Sequence, residues 1–221
     1  MEFEKALNFN GPDNILYDDQ AKIIYVAVDE GLATIDAKTM TTLPTVLKTP
    51  EHSESFQLET KGTRIFANMS RANATLVIDR KTGQTVASWP MPADVAKGPW
   101  PMQLDEGNHR LFVCTTNPSL VVVFDTESGK IVTKFHVTVD ADDIFYDAET
   151  KRLYLSGGEG FVDVWQQLAP NSYQRLAKVP SRVGARTSTT WSSRAGKWII
   201  VAAPADVTAG AELLFYKAQD Y

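Results

Sequence analysis

The sequence predicts an all-β fold: a five-bladed β-propeller of four-stranded antiparallel blades, closed by its own N-terminal strand. Three observations predict it. Five segments of the 221 residues repeat one hydrophobic register. Their spacing falls in the window of about 40–50 residues that one four-stranded blade occupies. Short β-branched and aromatic runs alternate with Gly, Asp, Asn and Ser turns, and no helical period interrupts them.

The elements follow in order. Residues 3–9, Phe-Glu-Lys-Ala-Leu-Asn-Phe, form an orphan strand ahead of the first repeat. The blades begin near residues 12, 53, 99, 141 and 185, and residues 1–221 make a single propeller domain. Their first strands end at Asp18, Glu59, Asp105, Asp147 and Trp191, which lie 41, 46, 42 and 44 positions apart. Second strands follow at Ile23-Ile24-Tyr25-Val26, Arg64-Ile65-Phe66-Ala67, Arg110-Leu111-Phe112-Val113, Arg152-Leu153-Tyr154-Leu155 and Lys197-Trp198-Ile199-Ile200. Third strands such as Leu120-Val121-Val122-Val123-Phe124-Asp125 lead into polar turns such as Glu127-Ser128-Gly129-Lys130, and a fourth strand ends the unit. The fifth repeat stops after its third strand. Residues 3–9 are therefore expected to complete that last blade, because an added strand removes an open sheet edge.

Composition bounds the function. With 22 basic and 27 acidic residues the formal charge is −5, so no nucleic-acid partner is expected; such grooves carry excess Lys and Arg. No stretch approaches the roughly 18 apolar residues of a membrane helix, so no membrane partner is expected. Met1-Glu2-Phe3-Glu4-Lys5 has no apolar run after its charges, so these residues are not expected to act as a signal peptide. The single cysteine, Cys114, excludes an internal disulfide and sits in the apolar run Leu111-Phe112-Val113-Cys114, where a thiol is buried and inert. No nucleotide-binding glycine motif and no nucleophile elbow occur.

The pattern of Arg-Leu-Phe-Val, a Val-Ile-Asp strand and a Thr-Gly-Lys type of turn resembles the YVTN-type bacterial β-propeller repeats. Glu54-Ser55-Phe56-Gln57-Leu58-Glu59, Asp140-Ala141-Asp142-Asp143, Gly157-Gly158-Glu159-Gly160 and Gly184-Ala185-Arg186-Thr187-Ser188 strengthen the likeness, which spans nearly the whole chain. The resemblance implies the propeller fold and an exported or periplasmic location. Members of that family commonly have seven blades, against five repeats here, and most lack an assigned activity.

In a propeller, the loops before each first strand open on one face. The equivalent positions here are Asp13, Glu54, Trp100, Asp142 and Arg186, with His52, Asp140 and Asp143 close by. Three readings follow. Arg186 can pair with the acids and neutralise them. The carboxylates of Asp13, Glu54 and Asp142 can hold a hard cation such as Ca²⁺ through oxygen ligands. They can also raise one another's pKa and work as an acid/base pair. The function expected is a non-enzymatic binding or scaffold propeller with its site at this acidic mouth, for a small molecule, a peptide or a protein. The alternative is a metal-assisted hydrolase, lactonase- or glycosidase-like, using the same carboxylates. Asp18, Asp36, Asp79, Asp105, Asp125 and Asp147 precede tight turns and are expected to cap them through their own carboxylates.

Overall fold

The computed structural model describes residues 4–207 and 209–219. Five antiparallel sheets follow one another along the chain, each a meander of sequential strands. They fall into two compact units, Met1–Pro92 and Ala93–Tyr221.

The first unit holds two sheets. One contains β1 (Ile15–Asp18), β2 (Ile23–Val28), β3 (Gly31–Asp36) and β4 (Thr41–Lys48). The other contains β5 (Ser55–Leu58), β6 (Arg64–Met69), β7 (Ala74–Asp79) and β8 (Gln84–Pro90). The inner strands read as continuous apolar runs because both their faces are covered. Tyr25, Leu32 and Leu47 of the first sheet meet Phe56, Ile65 and Met69 of the second in one buried cluster. A fully buried Phe such as Phe56 contributes about 1.5–3 kcal/mol. At the rim, Arg80 Nη1 donates to Asp18 Oδ2 at 2.6 Å and Nη2 to the Gly62 carbonyl at 2.7 Å.

The second unit holds three sheets. The third contains β9 (Lys97–Asp105), β10 (Arg110–Asn117), β11 (Ser119–Asp125) and β12 (Ile131–His136). The fourth contains β13 (Ala141–Asp147), β14 (Arg152–Gly157), β15 (Phe161–Ala169) and β16 (Ser172–Pro180). The fifth contains β17 (Ser188–Ser193), β18 (Gly196–Ala203) and β19 (Glu212–Lys217). A single 3₁₀ turn, Glu106–Asn108, is the only helical element among the described residues. Phe112, Val121 and Val123 pack on Leu153, Leu155 and Trp165 between the third and fourth sheets. Tyr154 and Val162 pack on Ile199 and Val201 between the fourth and fifth.

The turn aspartates behave as expected. Asp18 Oδ1 accepts the amides of Gln20 and Ala21; Asp36, Asp79 and Asp125 each take two amides in the same way. The Thr39 amide holds the Asp36 carboxyl below its ordinary pKa, and the Thr82 amide does the same for Asp79.

One expectation is corrected. Phe3 lies outside the described residues, residues 4–9 form no strand, and the fifth sheet has three strands among the described residues. Leu7 and Phe9 instead pack against Val26, Val28, Ala33 and Ile35 of the first sheet. Those residues form an apolar face within the same unit and only a short stretch of chain away, where little loop entropy is lost.

Candidate functional site

The expected site residues form two groups, one in each unit. In the first unit, Asp13 precedes β1 and Glu54 precedes β5. The Asp13 carboxylate lies 3.4 Å from His52 Nε2. Glu54 Oε1 accepts from Ser70 Oγ at 2.8 Å, and its backbone carbonyl accepts from Asn14 Nδ2 at 2.9 Å. Glu51, not singled out in the sequence, accepts the amides of Arg71 and Ala72 on Oε1. The Asp13–His52 and Asn14–Glu54 contacts tie the entry loops of the first two sheets together, while Ser70 and the Arg71 and Ala72 amides hold the second of these loops to the β6–β7 turn of its own sheet.

The second unit brings three of the expected residues to one point. Trp100 lies inside β9, Asp142 inside β13, and Arg186 just ahead of β17. Asp142 is the hub. Its Oδ1 accepts from Trp100 Nε1 at 3.3 Å, and its Oδ2 accepts from Thr187 Oγ1 at 3.0 Å. Arg186 Nε stands 3.8 Å from the same Oδ2. The guanidinium's closer partner is Asp140, whose two carboxylate oxygens lie 2.8 and 3.0 Å from Nη1. Trp100 keeps 36% of its surface exposed, and the Arg186 and Asp140 side chains are each about half exposed, at 48% and 52%.

Local backbone makes this possible. Asp140 adopts a left-handed conformation, φ 57°, which Asp tolerates better than most residues. It turns the chain from β12 into β13. The backbone of Gly158 passes so close to the Asp140 carboxylate that a Cβ there would collide with it. Glycine at 158 is what leaves the carboxylate free to face Arg186.

Asp143 differs from its neighbours. It accepts the Ser188 amide of β17 and lies deeper. Burial pushes its carboxyl up to about 6; the Ser188 bond opposes that shift and the Asp142 charge adds to it. Ser156 Oγ bonds the Arg186 carbonyl and Ser188 Oγ, so the Arg186–Ser188 segment is pinned from β14 as well. Among the described residues, no group of three or more His, Cys, Asp or Glu side chains is arranged to hold a metal ion.

Asp140 and Thr187 carry contacts that the repeat positions do not single out. The signal for Asp140 lay in its own run, Asp140-Ala141-Asp142-Asp143. Three acids within four residues on a strand that neighbours an arginine loop cannot all use the same partner.

Comparison with known proteins bears on the fold. No family model matches the sequence, and no curated protein matches it. A chain of the mitotic checkpoint complex superposes with a TM-score of 0.71 at 10% identity, covering 90% of this chain and 59% of that one. A chain of Kuenenia stuttgartiensis hydrazine synthase gives a TM-score of 0.70 at 12% identity, covering 90% and 57%.

The fold is a β-propeller.

At these identities the likeness speaks for the fold alone. The propeller chain described here spans under two thirds of the length of either structure.

Proposed function

We propose that this propeller is a non-enzymatic binding or scaffold protein, and that the Trp100–Asp142–Arg186 cluster is a contact surface for a small molecule, a peptide or a protein. One observation carries the reading. The acids are engaged while the Trp and Arg remain exposed: Asp142 is bonded through both oxygens and Asp140 faces Arg186 through both of its own. Exposed Trp and Arg side chains held in place by hydrogen bonds are the types that dominate contact energies. The hydrolase alternative needs carboxylates available to a cation or a substrate proton. Asp143, the carboxyl with a pKa near 6, is instead committed to the Ser188 amide.

A scaffold role agrees with the mitotic checkpoint neighbour, a protein assembly, at the level of fold analogy. Membership of the YVTN-type family and an exported location are further proposals that rest on the repeat sequences.

The test is a thermal-shift screen of small molecules, peptides and Ca²⁺ on the parent protein, Trp100→Ala and Arg186→Ala. Binding that both substitutions weaken, with the fold intact, supports the proposal. A Ca²⁺-dependent rise in Tm at about 1 mM or below that Asp142→Asn abolishes, together with hydrolysis of a lactone or glycoside substrate, would replace it with the alternative.

A further inference from the structure

The first unit contains a chemically reactive dipeptide, Asn10-Gly11, the one place in the chain where glycine follows asparagine. The backbone nitrogen of the following residue can attack an asparagine side chain, because both groups belong to one chain and need only rotate to meet. Glycine puts no Cβ in the path and leaves the backbone free to turn.

The folded chain leaves this pair able to react. Both residues are exposed, in the bend ahead of β1. Among the described residues, neither the Asn10 side chain nor the Gly11 amide has a hydrogen-bond partner. The fold also demands glycine here. Gly11 is left-handed, φ 58°, and a Cβ on it would collide with the Asp29 carboxylate. Other asparagines are held. Asn14 Nδ2 donates to the Glu54 carbonyl, Asn73 Nδ2 to the Met91 carbonyl and Asn108 Nδ2 to Asp105. Asn171 Oδ1 accepts from Arg110, and Asn117 precedes Pro118, which has no N–H to react.

We propose that Asn10 is a site of spontaneous deamidation in the folded protein, and that its isoaspartyl product unlatches Leu7 and Phe9 from the first sheet. The Gly11 nitrogen loses its proton to solvent and bonds to the Asn10 side-chain carbonyl carbon. The bond from that carbon to the side-chain nitrogen breaks, and the nitrogen takes a proton from solvent and leaves as ammonia. Water then opens the cyclic imide at one of its two C–N bonds. Opening at the side-chain carbonyl gives Asp at position 10; opening at the backbone carbonyl gives the isoaspartyl link, whose main chain runs through Cβ.

That link strikes the latch. The Asn10 carbonyl accepts the Asp29 amide at 3.0 Å, the Asp13 amide donates to the Ala27 carbonyl at 3.0 Å, and the Ala27 amide to the Asn14 carbonyl at 2.8 Å. These bonds hold residues 10–14 beside β2 and so set where Leu7 and Phe9 meet Val26, Val28, Ala33 and Ile35. An extra main-chain atom between residues 10 and 11 breaks that register. The new carboxylate also lies near Asp29, and like charges repel.

The full chain is incubated at mildly alkaline pH and digested, and each asparagine peptide is followed by mass spectrometry for the gain of one dalton. Asn10 is expected to convert first, at a rate within about tenfold of a synthetic peptide of residues 7–13. Slower conversion than that, or faster conversion at another asparagine, would overturn the proposal. Asn10→Gln is expected to abolish the gain in this segment; a gain that persists there would place the reaction elsewhere. The isoaspartyl form, separated by ion exchange, is expected to exchange the Asp13, Ala27 and Asp29 amide hydrogens faster than the parent. Asn10→Asp, which adds the charge but keeps the ordinary main chain, is expected to exchange them more slowly than the isoaspartyl form. Parent-like exchange in the isoaspartyl form, or equal exchange in the two, would overturn the unlatching.

Discussion

Arg186 faces Asp140 more closely than Asp142. Its Nη1 lies 2.8 and 3.0 Å from the two Asp140 oxygens, whereas its Nε stands 3.8 Å from Asp142. One cation thus answers two acids of a single strand entry, and Asp142 turns its remaining capacity to Trp100 and Thr187.

That geometry sets the first prediction. The Arg186–Asp140 pair is about half exposed, so water already screens both charges. Arg186→Ala is expected to cost no more than about 1 kcal/mol in urea unfolding. A loss of several kcal/mol would show that the pair is far less hydrated than its exposure implies.

Arg80 and Asp18 make the opposite case. Their side chains are 13% and 6% exposed, and they join the first two sheets at 2.6 Å. Arg80→Ala leaves the Asp18 carboxylate buried beside two turn amides with no cation. The expected cost is about 3–5 kcal/mol, measured by chemical denaturation. A change below about 1 kcal/mol would place this pair with the hydrated surface bridges.

Asp143 predicts a pH dependence. Its folded pKa, about 6, lies above the ordinary 3.8. The folded state therefore binds more protons than the unfolded state between those values. Its stabilising contribution is complete below about pH 4 and is lost as pH rises through about 6. Asp143→Asn removes the titration. Relative to the parent, the variant is expected to gain stability between pH 4 and 7, by about 1–2 kcal/mol given about 1.4 kcal/mol per unit and incomplete burial. The difference between the two proteins is the quantity to measure, because other carboxylates titrate in both. A difference that is flat with pH would contradict the assignment.

Cys114 is 1% exposed, and burial pushes its thiol well above the usual range, with the nearby Asp143 charge adding to the effect. A thiolate is the reactive form. The native protein is expected to resist a thiol reagent at pH 8 and to react fully once unfolded in guanidinium. Rapid native labelling would mean that the third sheet opens readily.

The sequence by itself determined the blades. Strands such as Leu111-Phe112-Val113 and Leu153-Tyr154-Leu155 recur in one register, and the aspartates at 18, 36, 79 and 125 cap their turns with their own carboxylates. Both are local effects, legible because side-chain alternation and turn chemistry act within a few residues. The sequence also brought Trp100, Asp142 and Arg186 into view, since equivalent repeat positions are related by the fold's repetition. Tertiary structure decided the rest. Which acid Arg186 takes depends on the left-handed turn at Asp140 and the close approach of Gly158, contacts made by residues 46 and 18 positions from Asp140. The place of Leu7 and Phe9 was likewise decided by competition. An alternating segment suits a strand edge or an apolar sheet face alike, and it is the folded first unit that supplies the face on which Leu7 and Phe9 pack. Burial acts in the same way on Asp143: its position was readable, but its displaced pKa comes from a desolvated seat that exists only once β13 and β17 are side by side.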